Sequence, residues 1–264
     1  MLKSNIFKYF FVARENIPRD VGFSLYDQYH LSWLCLIALF IVIISIRYKS
    51  SQEAKKKFFR KILGSVILLS EVYYQAVLII TRQFNINYLP LHLCGISIFL
   101  CFFDSIRPKD SVREFLYCLG LPGALSALLF PNWVVYPVLN FASINSFVVH
   151  GLIIAYPVMI MSSGEFFPDY KRLPKCFMIL INIAIPIYFF NKIFDTNFLF
   201  INTPSDGSPL VALETWLGNP GYILGMFVLV FICWGILYTP VLIKNLHIRH
   251  IRKRELRELA EEIY

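Results

Sequence analysis

The chain has 264 residues, of which 57% are hydrophobic and 16% charged, and it carries a formal charge of +8. Soluble domains average about 45–50% apolar and about 25% charged residues, so this composition excludes an ordinary soluble fold. At about 20 residues per span the length holds one helical bundle and no separate soluble domain. The basic excess clusters beside apolar runs and forms no patterned face, which argues for membrane topology and against nucleic-acid binding.

Residues 1–27 read as an N-terminal interfacial segment. Their apolar stretch around Phe10 and Val12 is too short for a cleavable signal peptide and is followed by charges. Apolar windows at 31–46, 62–81, 88–106, 112–130, 143–163, 174–194 and 220–243 predict seven transmembrane helices, an all-α polytopic domain over 28–243. The third window opens with Pro90, which suits a first helical turn. The fourth contains Gly120, Pro122 and Gly123, which predict a kink or a broken helix. Nineteen of the 25 Lys and Arg residues fall between windows one and two, three and four, five and six, or in the tail. The positive-inside rule then places the N-terminus outside and the C-terminus inside. The tail, 244–264, mixes Lys and Arg with Leu246, Ile251, Leu256, Leu259 and Ile263, and reads as an amphipathic cytoplasmic helix held by anionic inner-leaflet lipid.

The informative residues are the polar ones inside apolar windows, where ionisable groups are costly and mark function. Glu71, Gln75 and Arg82 form a stripe on the second window. His30, His92 and His150 lie at the outward ends of windows one, three and five, with Asn145 near His150. The six cysteines show no CxxC or finger spacing, so neither a disulfide framework nor a thiolate zinc site is expected. Cys94 is set apart by its place near the start of an outward-beginning helix, where the dipole favours a thiolate nucleophile. His92, two positions earlier, would lie ~200° around that helix, so the two could not both face one ligand squarely. A cysteine meeting a histidine across helices supplies the nucleophile and base of acyl chemistry. A packed cysteine and a hydrogen-bonded histidine fit the same residues.

The element Leu89-Pro90-Leu91-His92-Leu93-Cys94 resembles the signature of the YwaF family of bacterial integral membrane proteins. The resemblance extends to Phe23, Ser24 and His30, to the stretch 123–131, to Asn145 through His150 and Gly151, and to the run 191–200, where Phe198 replaces a commoner Tyr. That family is similar to a vertebrate branch of multi-pass acyltransferases that move fatty acyl groups between lipids through a cysteine and a histidine. The resemblance implies a multi-pass protein of the bacterial cell membrane, acting on membrane lipids without a cofactor, with Cys94 as nucleophile and His150 as base. Glu71, Gln75, His92 and Asn145 would orient the base or bind the oxyanion, and His30, Asn191 and Asn197 would complete the site. Two alternatives stand beside it: a zinc-dependent lipid hydrolase ligated by His30, His92 and His150, and a carrier or receptor that binds a lipid or small solute without chemistry.

Overall fold

The computed structural model describes residues 8–262 except 13 and 19, with side chains described as far as 243, residue 15 excepted. Nine α-helices are found among these residues: α1 (Gln28–Lys49), α2 (Glu53–Ile80), α3 (Leu93–Ile106), α4 (Asp110–Phe115), α5 (Leu121–Leu129), α6 (Phe141–Ser162), α7 (Leu173–Phe194), α8 (Pro209–Leu217) and α9 (Tyr222–Glu262). A π-helical turn, Leu116–Gly120, joins α4 to α5. Six segments are long and apolar enough to cross a membrane: Gln28–Lys49, Glu53–Ile80, Asp110–Leu129, Phe141–Ser162, Tyr170–Phe194 and Tyr222–Ile243. The protein is therefore an all-α membrane protein with six candidate transmembrane helices.

The seventh expected helix is the exception. Only the 14 residues of α3 are helical, about 21 Å at 1.5 Å per residue against a hydrocarbon core of about 30 Å. Pro90 is the reason, because its ring pushes the preceding residue out of the helical region. Leu89 accordingly sits at ψ 142°, the Leu91 amide turns back onto the Leu89 carbonyl at 2.8 Å, and His92 is extended at ψ 159°. Pro90 thus stands outside the helix rather than in its first turn. Gly95 accommodates this stretch, since a Cβ there would lie 2.4 Å from the Pro90 carbonyl oxygen.

Three other expected segments are seen in more detail. The basic stretch before window two is helical, with α2 starting at Glu53 and Lys56 folded onto Glu53 at 2.9 Å; Ala, Lys and Glu are strong helix formers that a hydropathy window passes over. The fourth span is irregular where expected, the π-helical turn Leu116–Gly120 standing between α4 and α5, but the chain stays helical through it, with Gly120 at φ −61° and ψ −50°. Pro122 cannot donate to the carbonyl four residues back, that of Cys118, and the Trp234 indole N–H donates to this oxygen instead at 2.9 Å. The tail is helical as expected, and its helix is continuous with the last span, α9 running 41 residues to Glu262. The amphipathic face proposed for the tail lies outside the described side chains.

One end of the bundle is tied by buried charge. Glu165, in the turn after α6, accepts hydrogen bonds from Tyr48 of α1 and Arg60 of α2, both at 2.5 Å. Arg113 of α4 donates to the Glu165 carbonyl at 2.9 Å and to Asp104 of α3 at 3.1 Å. Asp104 also accepts from Tyr156 of α6 at 3.0 Å and from the Lys109 amide at 2.9 Å. Next to this, Glu114 accepts from Tyr238 of α9, from the Asp169 amide and from Arg172, which also pairs with Asp110. Gly64 lets α2 approach Ser105 of α3, where a Cβ would come within 2.6 Å of the serine side chain. Asp104 and Glu114 are wholly buried. Removing one partner of such a pair strands the other, so Asp104→Leu should lower stability by about 3–5 kcal/mol. Tyr156→Phe, which removes one bond to a charged acceptor, should cost about 1.5–3 kcal/mol. Thermal unfolding of the detergent-solubilised variants measures both, and equal small losses would show that the network does not hold the fold.

Candidate functional site

His30 and His92 lie at the other end of the bundle, and His150, the tenth of the 22 residues of α6, lies nearer its middle. Asp27 caps α1, its carboxylate accepting from the His30 amide at 2.8 Å and from the Ser24 amide at 2.9 Å. His30 is completely buried, and both its ring nitrogens are engaged. Nδ1 faces the Tyr26 amide at 2.9 Å and Nε2 faces the Leu128 carbonyl at 2.7 Å. An amide can only donate and a carbonyl only accept, so His30 is held as the Nε2–H tautomer with no lone pair to offer. It pins α1 to the end of α5. The three-histidine zinc site therefore loses a ligand, and among the described residues no three His, Cys, Asp or Glu side chains stand close enough to hold a metal ion.

His150 is arranged differently. Its Nδ1 lies 2.6 Å from the Ser146 carbonyl one turn earlier on α6, so Nδ1 carries the proton and a neutral ring leaves Nε2 bare. The ring stacks on Trp133 at 5.2 Å between centroids and 20° between planes. The Trp133 indole N–H and the hydroxyl of Ser143, one helical face with His150 at a spacing of seven, are buried without a hydrogen-bond partner. Orphan polar groups of this kind are uncommon.

His92 forms the N-cap position of α3 but does not cap it. Its ring turns to the segment after α7, where Nδ1 accepts from the Leu199 amide at 3.3 Å and the rings of Phe198 and Phe200 pack at 5.2 and 4.8 Å. His92 and His150 are near enough to interact electrostatically. Because His92 precedes the helix, the ~200° separation from Cys94 expected on a helical wheel does not apply. Cys94 occupies the second position of α3 and is half-buried, whereas Cys101, Cys118 and Cys176 are buried; all six thiols are free. The first-turn amides of α3 point toward this level, the end of a helix that favours negative charge.

The remaining expected residues have distinct tasks. Gln75 donates from Nε2 to Glu71 and to the Tyr88 carbonyl, both at 2.7 Å, so this pair ties α2 to the turn that leads into His92. Asn145 is five residues before His150, about 140° around α6, and does not share its face. Asn191, 1% exposed, accepts from the Thr196 hydroxyl and the Phe198 amide and donates to the Phe198 carbonyl, at 2.8–2.9 Å. Asn197 holds Asn202 and Thr203 in the same turn. An apolar groove of about 240 Å³, lined by Trp33, Ile37, Phe40, Val148 and Gly151 among others, lies between α1 and α6, on the side of α6 turned away from His150. Sequence reasoning missed Trp133 and Ser143; the spacing of seven between Ser143 and His150 was the available signal.

His30→Ala should strand the Leu128 carbonyl and the Tyr26 amide at about 1–3 kcal/mol each, while added zinc should leave the melting temperature of the native protein unchanged; stabilisation by zinc would restore the metal reading. Burial opposes ionisation of Asp27, but donation from the His30, Ser24 and Tyr29 amides outweighs it and holds this carboxyl below the usual carboxylate range. Its contribution is complete above the unfolded value of about 3.9 and is lost as pH falls through the lower folded value. Asp27→Asn should flatten the acid side of the pH–stability profile, and an unchanged profile would count against this role.

No curated protein and no solved structure matches the chain. The profile of the TMEM164 family matches residues 25–238, a stretch that includes His30, His92, Cys94, His150 and the Asn191 turn and ends within the last candidate span. The chain belongs to the TMEM164 family.

Proposed function

We propose that the protein is an intramembrane lipid acyltransferase or transacylase, with Cys94 as nucleophile and His150 as base. The observation that carries this reading is the state of His150. Its Nδ1–H is committed to the Ser146 carbonyl, which leaves Nε2 as a proton acceptor in a water-poor interior. In the forward step Cys94 Sγ bonds to an ester carbonyl carbon and the thiol proton passes to His150 Nε2. The ester C–O bond then breaks and His150 returns that proton to the departing alcohol. A second lipid hydroxyl, or water, attacks the thioester, its proton passing through His150 to the released sulfur. Glu71, Gln75, Asn191 and Asn197 shape the segments that carry the site, as their hydrogen bonds to Tyr88 and Phe198 and within the turn favour.

In this reading α3, extended by its four preceding residues, completes a seventh pass. The N-terminus lies outside and the tail inside against anionic lipid, in a bacterial cell membrane of the kind that the YwaF resemblance implies. The site then faces the outer leaflet and its substrates are membrane lipids.

The test is acyl transfer from a labelled phospholipid to a lysolipid in reconstituted vesicles. Cys94→Ala and His150→Ala should each abolish transfer, and the double variant should be little worse, because nucleophile and base act as a unit. A lipid-like electrophile should label Cys94 in preference to Cys35, Cys101, Cys118, Cys176 and Cys233. Full transfer by Cys94→Ala would end the cysteine mechanism, and undiminished lipid binding with no turnover in the native protein or in Cys94→Ala would favour a carrier.

A further inference from the structure

The two interior histidines near the site are held in opposite proton states by partners that cannot exchange roles. The Ser146 carbonyl can only accept, so His150 Nδ1 donates. The Leu199 amide can only donate, so His92 Nδ1 accepts and a neutral His92 carries its proton on Nε2. One ring therefore presents a lone pair and the other an N–H.

The segment that delivers the Leu199 amide is held under strain. Asp195, Leu199 and Phe200 all adopt left-handed backbone angles, at φ 50°, 59° and 54°, a conformation that non-glycine residues rarely take and that persists only where the surroundings enforce it. Enforcement comes from Asn191. Its Oδ1 takes both the Thr196 hydroxyl and the Phe198 amide, and its Nδ2 holds the Phe198 carbonyl. Asn197 fixes the far side through Asn202 and Thr203. The Tyr222 hydroxyl closes the turn on the Phe200 carbonyl at 2.7 Å. A turn needed only to end α7 would have no use for an amide aimed at a ring 107 residues earlier.

We infer that His92 is the hydrogen-bond donor to the reacting carbonyl oxygen, with His150 as the sole base, and that Asn191 is a positioning residue whose turn holds the Leu199 amide on His92 Nδ1 to enforce this division. The inference rests on the acyl-transfer reading and names the group that meets the developing negative charge. As Cys94 Sγ bonds to the carbonyl carbon, the electron pair of the C=O bond moves to oxygen. That oxyanion accepts from His92 Nε2–H, whose proton is not transferred, while the thiol proton goes to His150.

The experiment reads proton positions directly and activity separately. In protein labelled with ¹⁵N-histidine and held in nanodiscs, with each ring assigned by its own substitution to Gln, neutral His92 should show a protonated Nε2 and a bare Nδ1. His150 should show the reverse. Asn191→Ala should turn His92 into a mixture of tautomers and leave His150 unchanged. Should that variant not fold, Thr196→Val, which removes only one bond to Asn191, should shift part of His92 in the same direction. A protonated Nδ1 on His92, or no shift in any folded variant of the turn, overturns the inference. In the vesicle assay His92→Ala should lose about 10²-fold or more, as for removal of one oxyanion donor. His92→Gln, whose amide N–H sits where Nε2–H was, should recover at least about tenfold of that loss. His150→Gln should be as inactive as His150→Ala. Failure of His92→Gln to exceed His92→Ala overturns the donor role, whereas the stated tautomers with full transfer in Cys94→Ala would overturn the acyl-enzyme reading and leave the tautomer assignment supported.

Discussion

The bundle is organised around Arg113. Its guanidinium joins Asp104 of α3 to Glu165 after α6, and through those carboxylates it reaches Tyr48, Arg60 and Tyr156. The adjoining Glu114 adds Tyr238 and Arg172. Every helix long enough to cross the membrane contributes to one of these two carboxylate systems or to the short segments beside it. Where lipid surrounds the helices, hydrophobic burial gives little drive for helices to associate, and hydrogen bonds with close packing do more of the work. A buried ionic network is a weak source of net stability but a strong source of uniqueness, since an alternative register would leave charges unpaired. The many exposed apolar side chains on α1, α2, α7 and α9 fit this division: polar contacts inside, lipid contacts outside.

The opposite end has one carboxylate cap, Asp27, and otherwise uncharged contacts. Asp27 caps α1, His30 ties it to α5, and aromatic rings from Trp33, stacked on Phe147, to Trp133, edge-on to Phe147 and stacked on His150, fill the space between. Such packing is rigid without being charged. It leaves the protonation of His150 and His92 to be set by single backbone partners. The locked ionic end supplies the fixed frame against which α3 and α6 hold these rings, and the strained turn after α7 adds the last constraint.

Much of the candidate site was legible in the sequence because polar residues inside apolar runs are conspicuous. His92, Cys94 and His150 stand out on that ground, and Pro90 marked the start of a structural element even though it proved to precede the helix. His30 stood out equally, yet it is a structural histidine. A lone imidazole in an apolar run has the same appearance whether it works or is saturated by two backbone groups. Arg60 and Arg113 were counted among the basic residues that set topology, since each lies at the border of an apolar window, and Glu114 drew no reading. Apart from the Arg113–Asp104 pair, nine residues apart, their partners lie 52 to 124 residues away, and no local pattern records such distances.

The sequence by itself determined that the chain is helical and membrane-embedded, where most of its spans fall, and which few polar residues stand inside apolar runs. These follow from transfer free energy, which is summed residue by residue along the chain. Only the tertiary structure decided that Trp234 satisfies the carbonyl freed by Pro122, that Arg113 is buried and paired, and that His92 accepts from the Leu199 amide. Each of these depends on which donor meets which acceptor across separate helices, and hydrogen-bond complementarity is a property of geometry that composition does not contain.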